Sequence, residues 1–468
     1  MNRNTTREHY DRIAANRANW RGNRFFQRET EYLYTGLIPE GASILQVGCG
    51  LGDLLAALKP VRGVGVDFSS KTIEFARQRH PRLEFICSDI HEFQSGEKFD
   101  YIVVSSVLGD LDDIQACFER LRARCHSRTR LIVDYYSMLW QPLWNMAEKL
   151  NWKTPQPLQN WLRTEDVINL LQIAGFEPVV HKRRHLCPLN IPLLAPFCNR
   201  ILAHMPLFQN LCFGNCIVAR PIMRPETANL TCSVIVPCRN EKGNIARIFK
   251  QTPPMGAHTE LIFIDGNSTD GTLEEIERQA RANPQWNAAF FSQGAGTGKG
   301  DAVRQGFARA KGDVLMILDA DLTMPAQNLP KFFQCLADER AEFVNGSRLV
   351  YPMEKQAMRF LNLLANWSFG RMFTWLLGQT IRDTLCGTKV LLRKDYERIA
   401  AGRAYFGDFD PFGDFDLLFG AAKLNLKIVD LPIRYKERTY GTTNIRRFYH
   451  GWQLLKMCGV ALVKLKLR

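Results

Sequence analysis

The sequence has no apolar run fit to cross a bilayer. The best stretch, Ile201–Ala219, is free of Lys, Arg, Asp and Glu but carries His204, Pro206, Gln209, Asn210 and Asn215. That is a poor composition for the roughly 20 residues a span requires. The opening segment, MNRNTTREHYDRIAANRANWRGN, lacks the apolar core of a secretory leader. Cys-x-x-Cys spacing is also absent. The 13 cysteines, an odd number, are scattered singly through apparent strands and helices. This suits reduced thiols in a cytosol better than a disulfide framework or a zinc site. Cys212 and Cys216 stand four apart with no second pair to complete a zinc shell, and read as small buried residues. A P-loop is missing as well. In GAGTGKGD, residues 294–301, the first glycine of Gly-x-x-x-x-Gly-Lys-Ser/Thr falls on Gln293 and the hydroxyl position on Gly300.

What is present is a folded chain with more than one core. A length of 468 residues predicts two or three domains, and 46% hydrophobic against 23% charged residues excludes disorder. Sixty-one Lys and Arg against 47 Asp and Glu leave a net charge of +14, which favours anionic partners. Nucleic acid is not the expected one, because aromatic residues are not interleaved with the basic ones on any recognisable reading surface.

Two strand-and-helix patterns divide the chain. In the first, SILQV runs into GCGLGD, a helical segment and then VGVDF. This is the order of a nucleotide-type cofactor site, in which glycines let the backbone approach the ligand and Asp67 can take a ribose hydroxyl. LEFICSDI, ending near Asp89, FDYIVVSSVL and RLIVDYY predict further strands. These motifs resemble a class I S-adenosylmethionine-dependent methyltransferase over about 220 residues. The resemblance implies that Gly48, Gly50 and Gly52 pass around the methionine moiety, that Asp67 binds ribose and that Asp89 lies near adenine. The family's usual acid two residues before the first glycine is here Gln46. Asp110 and Asp134 occupy loop positions from which an acceptor can be activated, and solvated surface acids fit the same pattern.

After the polar, Pro-bearing PIMRPETANLT, the second pattern begins with SVIVPCRNE, followed by FIDGNSTDGT and GKGDAVRQGFARAKGDVLMILDADL. The apolar strand Val314–Leu318 delivers Asp319 and Asp321 to its carboxyl end. On an extended segment residues i and i+2 face one side, and hard carboxylates there suit Mg²⁺ or Mn²⁺. The order and spacing resemble family-2 glycosyltransferases of the glycosyltransferase A fold, in the branch of dolichyl- and polyprenyl-phosphate sugar transferases. The resemblance implies a UDP-, GDP- or CDP-linked sugar donor contacted by Pro237, Asn240, Glu241 and Asp265. Lys299 and Gly300 line its pocket, Asp319 and Asp321 hold the metal, and transfer inverts the anomeric centre. Gly266 replaces a second acid common in relatives. Arg348, Arg382 and Arg438, in NGSRL, IRDTL and YKERTYG, match positions that bring positive charge to the donor diphosphate or an anionic acceptor. Asp414 and Asp416 match the acidic motif near the acceptor, where a carboxylate serves as general base toward a hydroxyl or orients an already ionised phosphate.

From Thr439 onward there are six Lys or Arg and no Asp or Glu, with Phe, Trp, Leu, Met and Val among them. Such a helix suits an anionic membrane surface or a packing role equally. FLNLLANWSFGRMFTWLLG, with Arg371 in its middle, reads as core or as a lipid-facing ledge. The expected architecture is therefore α/β with two doubly wound domains. Residues 1–220 form a Rossmann-like methyltransferase fold, 221–230 a linker, 231–445 a glycosyltransferase A domain and 446–468 a basic amphipathic tail. The expected activity is sugar transfer to a lipid-phosphate or glycan acceptor in cell-envelope glycan biosynthesis, at the cytoplasmic face of a membrane. The first domain methylates the same intermediate in this reading. Competing readings are a non-catalytic scaffold and a sugar nucleotidyltransferase, whose glycine-rich loop directly follows its first strand.

Overall fold

The computed structural model describes residues 7–14, 24–150, 159–223, 229–296, 298–351, 360–405, 413–438, 440 and 447–467. The chain divides between Met223 and Arg224 into two compact units. The expected linker brackets that division, although Pro221 still belongs to a strand and 224–228 lie outside the described residues.

The first unit is built on β1 (Ser43–Val47), β2 (Arg62–Asp67), β3 (Glu84–Cys87), β4 (Phe99–Ser105), β5 (Cys125–Tyr136), β6 (Phe176–Arg184) and β7 (Gly214–Pro221). Their order in the sheet is β3-β2-β1-β4-β5-β7-β6. Strands β1 to β5 are parallel, and β7 runs antiparallel between β5 and β6. Leu45, Val47, Ile102 and Val104 pack on one face, and Ile44, Tyr101, Val103 and Ile132 on the other. Burial on both faces is why these strands are unbroken apolar runs. Side-chain caps fix the connecting helices: Ser69 accepts from the N–H of Thr72, and Asp113 from that of Ala116. Because β2 and β4 flank β1 on opposite sides, the chain leaves a crevice at the carboxyl ends of β1 and β4.

The second unit holds β8 (Thr231–Cys238), β9 (His258–Asp265), β10 (Ala289–Ser292), β11 (Val314–Ile317), β12 (Phe343–Ser347), β13 (Lys389–Leu392) and β14 (Ile428–Pro432), in the order β10-β9-β8-β11-β13-β12-β14. It is α/β as expected, but parallel winding over β10, β9, β8 and β11 is interrupted before the parallel pair of β12 and β14. Strand β13 is antiparallel to both β11 and β12. Ile235, Ile262, Leu315 and Ile317 face one core, Val234, Val236, Phe263 and Met316 the other. Here β9 and β11 flank β8, so the second crevice lies beyond β8 and β11.

The helix Arg447–Leu465 buries Leu454, Met457, Cys458 and Ala461 in the core that holds Phe373 and Phe415, while Trp452, Leu455 and Val463 stay exposed. One stripe of the tail thus has the packing role, and the other meets solvent. Among the described residues no helix is long and apolar enough to cross a membrane.

Candidate functional site

In the first unit the chain leaves β1 through Gly48, Gly50 and Gly52, all at positive φ (64°, 53° and 78°). At Gly48 a Cβ would overlap Val107, so this turn requires glycine for both conformation and space. At Gly50 a Cβ would meet nothing within 4 Å: the backbone borders open space. The Gly50 N–H donates to Asp67 Oδ2 and the Ser69 N–H to Asp67 Oδ1, both at 3.0 Å. Asp89 Oδ1 accepts from the His91 N–H at 2.8 Å. A cleft opens here, with Gly48, Asp67, Phe68, Asp89 and Asp110 on its walls. Gly52 instead packs beside Phe85 and His80.

Three further residues refine this site. Gln46 is buried on β1, and its Oε1 has no hydrogen-bond partner among the described residues. Asp134 is tied down by the Tyr34 hydroxyl at 2.6 Å, the Ser105 hydroxyl at 2.7 Å and the Ser106 N–H at 2.7 Å. Burial raises its pKa against the effect of those donors. It is a structural hub at the end of β5. Asp110 sits on the cleft wall and accepts from the Tyr10 hydroxyl at 2.7 Å.

In the second unit, the residues after β8 and β11 form one charged cluster. Asp319 and Asp321 do not extend the strand, which ends at Ile317. They lie on a turn closed by the Leu322 N–H to the Asp319 carbonyl, 3.1 Å, with Leu322 at φ 53°. The alternation expected of an extended segment therefore does not apply, and each carboxylate faces its own cation. Lys299 Nζ lies 2.5 Å from Asp319 Oδ1. Arg438 Nη2 lies 2.6 Å from Asp321 Oδ2, and its Nη1 is 3.2 Å from Glu241 Oε1. Burial works to raise the Asp319 pKa, but Lys299, Lys389 and Arg348 together hold it below the usual carboxylate range. Burial works to lower the Lys299 pKa, and the fields of Asp319, Asp414 and Asp321 raise it. Gly387 closes over the pair, since any Cβ there would overlap both Asp319 and Lys299.

The remaining predicted residues separate into distinct environments. Pro237, on β8, pairs in register with Ile264, and Asn240, at φ 57°, accepts from the Thr269 N–H at 2.8 Å. Asp265 accepts from the Ser268 hydroxyl at 2.5 Å and N–H at 3.1 Å. These contacts order the two loops beside the crevice. Gly300 lies against Gly413, the residue before the helix Asp414–Lys423. Asp414 faces Lys389 Nζ at 3.4 Å, whereas Asp416, one helical step away, pairs with Arg403 Nε at 2.8 Å. Two residues apart on a helix point about 200° around its axis, so the acids serve different partners. Arg348 is locked in a fork with buried Asp383, at 2.7 and 2.8 Å. Arg382 is exposed, and its backbone N–H binds Asp430.

Sequence reasoning missed Lys389, which is fully buried and donates to the Cys386 carbonyl as well as facing Asp414. The available signal was a lysine opening the apolar strand KVLL, a position where an amine has to find a buried partner. Among the described residues no three His, Cys, Asp or Glu side chains cluster to hold a metal by themselves.

Comparison with known proteins bears on both units. The family described as glycosyl transferase family 2 matches residues 233–399, and a methyltransferase domain family matches 38–175. Each unit thus matches a different family, the first a methyltransferase domain and the second glycosyl transferase family 2. Asp414, Asp416 and Arg438 lie beyond the second match, and everything after Gly175 in the first unit lies beyond the first. Relatives of the glycosyl transferase domain include a dolichol-phosphate mannosyltransferase of Saccharomyces cerevisiae, 41% identical over 121 residues, covering 25% of this chain and 44% of the relative. Glycosyltransferase AglJ of Haloferax volcanii is 29% identical over 214 residues, 45% of this chain and 65% of the relative. An undecaprenyl-phosphate 4-deoxy-4-formamido-L-arabinose transferase of Edwardsiella ictaluri is 23% identical over 213 residues, 45% of this chain and 61% of the relative. The chain thus spans about half of the length of the curated relatives it matches. Solved structures similar to the methyltransferase domain include an S-adenosylmethionine-dependent methyltransferase from Thermotoga maritima, at 18% identity and a TM-score of 0.37, covering 45% of this chain and 98% of that one. N-methyltransferase NodS from Bradyrhizobium japonicum, solved with S-adenosyl-L-homocysteine, has 20% identity and a TM-score of 0.34, covering 47% and 99%.

Proposed function

We propose that the glycosyl transferase domain moves a sugar, with inversion, from a UDP-, GDP- or CDP-linked donor to a phosphate-bearing or lipid-linked acceptor. The observation that carries this is the meeting of Asp319, Asp321, Lys299, Glu241 and Arg438 at the carboxyl ends of the adjacent strands β8 and β11. Such a switch point is where open α/β sheets bind ligands. Asn240, Glu241 and Asp265 frame the nucleoside side, and Lys299 and Arg438 bring positive charge to the donor phosphates. Arg348 supports the fold through Asp383 rather than reaching the donor.

The donor set fits a divalent ion. Asp319 and Asp321 supply hard oxygens, and the cations beside them are of the type that turn to phosphate oxygens. When bound, Mg²⁺ or Mn²⁺ offsets charge on the departing nucleoside diphosphate. Asp414, which follows the Gly413 that lies against Gly300 and itself faces Lys389, takes a proton from a hydroxyl acceptor or orients a phosphate acceptor in this reading. Asp416 holds Arg403 and with it the start of the acceptor-side helix.

The methyltransferase domain, in the same reading, binds S-adenosylmethionine in the cleft between Gly48, Asp67 and Asp89. The open space at Gly50 and the carboxylates of Asp67 and Asp89 on the cleft wall fit a ligand with hydrogen-bond donors, and the cofactor supplies an activated methyl group when bound. Thermal unfolding of the full chain with nucleotides with and without Mn²⁺, and with S-adenosylmethionine alone, tests both pockets, because a ligand that binds only the folded state stabilises it. A metal-dependent rise with one nucleotide supports the transferase. No rise at saturating nucleotide sinks it in favour of a scaffold. The location that goes with this reading is peripheral, at the cytoplasmic face of a membrane that carries the acceptor.

A further inference from the structure

The methyltransferase-type fold carries a lobe that the cofactor cleft does not use. Between β6 and β7 the chain makes a long excursion, and the turn and helix after β5, Met138–Lys149, pack beside it. The Trp140 indole N–H donates to the Leu211 carbonyl at 3.0 Å, and the Trp140 and Trp144 rings lie 5.7 and 5.0 Å from that of Phe213. Asn199 closes the lobe on itself by bonding both the N–H and the carbonyl of Cys187, at 2.8 and 2.9 Å. Ala195, Ala203, Cys212 and Phe213 are its small core.

Its outer surface is apolar. Leu139, Leu143 and Met146 on one segment and Phe197 on the other are about half exposed, and Leu193 and Leu207 are 89% and 86% exposed. A soluble surface carries single exposed apolar side chains, but not so many on one ordered element. The charge pattern says what covers it. Residues 185–213 contain no Asp or Glu, Arg200 is exposed among them, and Lys182 and Arg183 precede them. Arg183 is fastened to the lobe through Asn210 at 2.5 Å. Apolar tips with a cationic rim and tryptophans beneath are the arrangement that settles into the headgroup region of an anionic bilayer.

We propose that this lobe docks the first unit on an anionic lipid surface. Pairing of Tyr136 and Arg184 with the same residue, Gly214, puts it at the carboxyl edge of the sheet, the edge where the glycine cleft opens. Lipid headgroups are then the class of acceptor brought to that edge. This inference stands whether or not the second unit transfers a sugar.

The test is sedimentation of the full chain with vesicles of phosphatidylcholine, with and without phosphatidylglycerol. The wild-type chain partitions onto the anionic vesicles. Leu193→Glu with Leu207→Glu lowers that partitioning by roughly tenfold or more, and Arg200→Glu lowers it only when phosphatidylglycerol is present. Leu143→Glu, on the separate segment, repeats the loss, and thermal unfolding midpoints stay at the wild-type value. Partitioning that survives the double substitution overturns the proposal. So does a lipid-free self-association of the wild-type chain that the same substitutions abolish, which assigns the lobe to a second copy.

Discussion

Arg438 and Glu241 stand 197 positions apart in sequence, yet the guanidinium that closes Asp321 at 2.6 Å also lies 3.2 Å from the Glu241 carboxylate. One cation thereby joins the loop after β8 to the turn after β11. Burial raises the Glu241 pKa, and Arg438 works against that rise. The arrangement keeps two acids within reach of one crevice without leaving either uncompensated.

Asp321→Ala removes one of the two hard oxygen donors and leaves Arg438 to Glu241 alone. Mn²⁺-dependent turnover of the donor is expected to fall by about 10²–10³, the scale on which a positioned electrostatic group acts. The readout is sugar transfer with titrated Mn²⁺. An undiminished rate removes Asp321 from the metal assignment.

The buried Lys389 makes a stability prediction. Asp414→Ala leaves an ammonium with 0% exposure without its paired carboxylate, bonded to the Cys386 carbonyl and with Asp319 and Asp430 acting on it through their fields. Breaking such a pair from one side costs about 3–5 kcal/mol. Asp414→Leu combined with Lys389→Met takes both charges away and is expected to cost less than Asp414→Ala alone. Urea unfolding of the three proteins decides it, and a cost below about 0.5 kcal/mol for Asp414→Ala, the range of ordinary surface changes, refutes the buried pair.

The legible parts of the molecule were those written in local pattern. Strands such as Val234–Val236 and Ile102–Val104 are apolar runs because both sheet faces are covered. The glycines after β1 are spaced for a turn whose positive φ values leave little alternative. Long-range pairing was not legible. Nothing near Arg348 announces Asp383, 35 residues on, and nothing near Asp416 selects Arg403 over an acceptor. The turn at Asp319–Leu322 escaped because a four-residue strand looks extended by one more residue when that residue is leucine. The lobe of the first unit was read as a poor membrane span; its exposure is a tertiary property that hydropathy does not report.

The Arg348–Asp383 fork predicts acid sensitivity. Burial works to raise the Asp383 pKa, but Arg348 prevails and holds it at about 2, against an ordinary 3.8. The folded value lies below the unfolded one, so the contribution is complete above about pH 4 and is lost as the pH falls through 2. A difference of that size corresponds to about 2 kcal/mol. Urea stability of the second unit is therefore expected to drop between pH 4 and 2 by more in the wild type than in Asp383→Asn. Equal slopes would mean that the fork holds no ionised carboxylate.

Gly50 offers the sharpest test of the first cleft, because its two requirements separate. A Cβ there meets no neighbour, so a side chain fits sterically within the protein. The backbone nevertheless sits at φ 53°, which a β-branched residue rarely adopts, and its N–H holds Asp67 at 3.0 Å. Gly50→Val is expected to strain the turn by about 1–3 kcal/mol and to place methyl groups in the space assigned to the cofactor. Calorimetric titration with S-adenosylmethionine should show binding lost, while far-UV circular dichroism stays at the wild-type signal. Gly48→Ala is the contrasting case, since its Cβ would overlap Val107 and disturb the strand connection itself. Unchanged affinity in Gly50→Val means the space beside this turn is not where the cofactor lies, and Asp67 then serves the loop rather than a ribose.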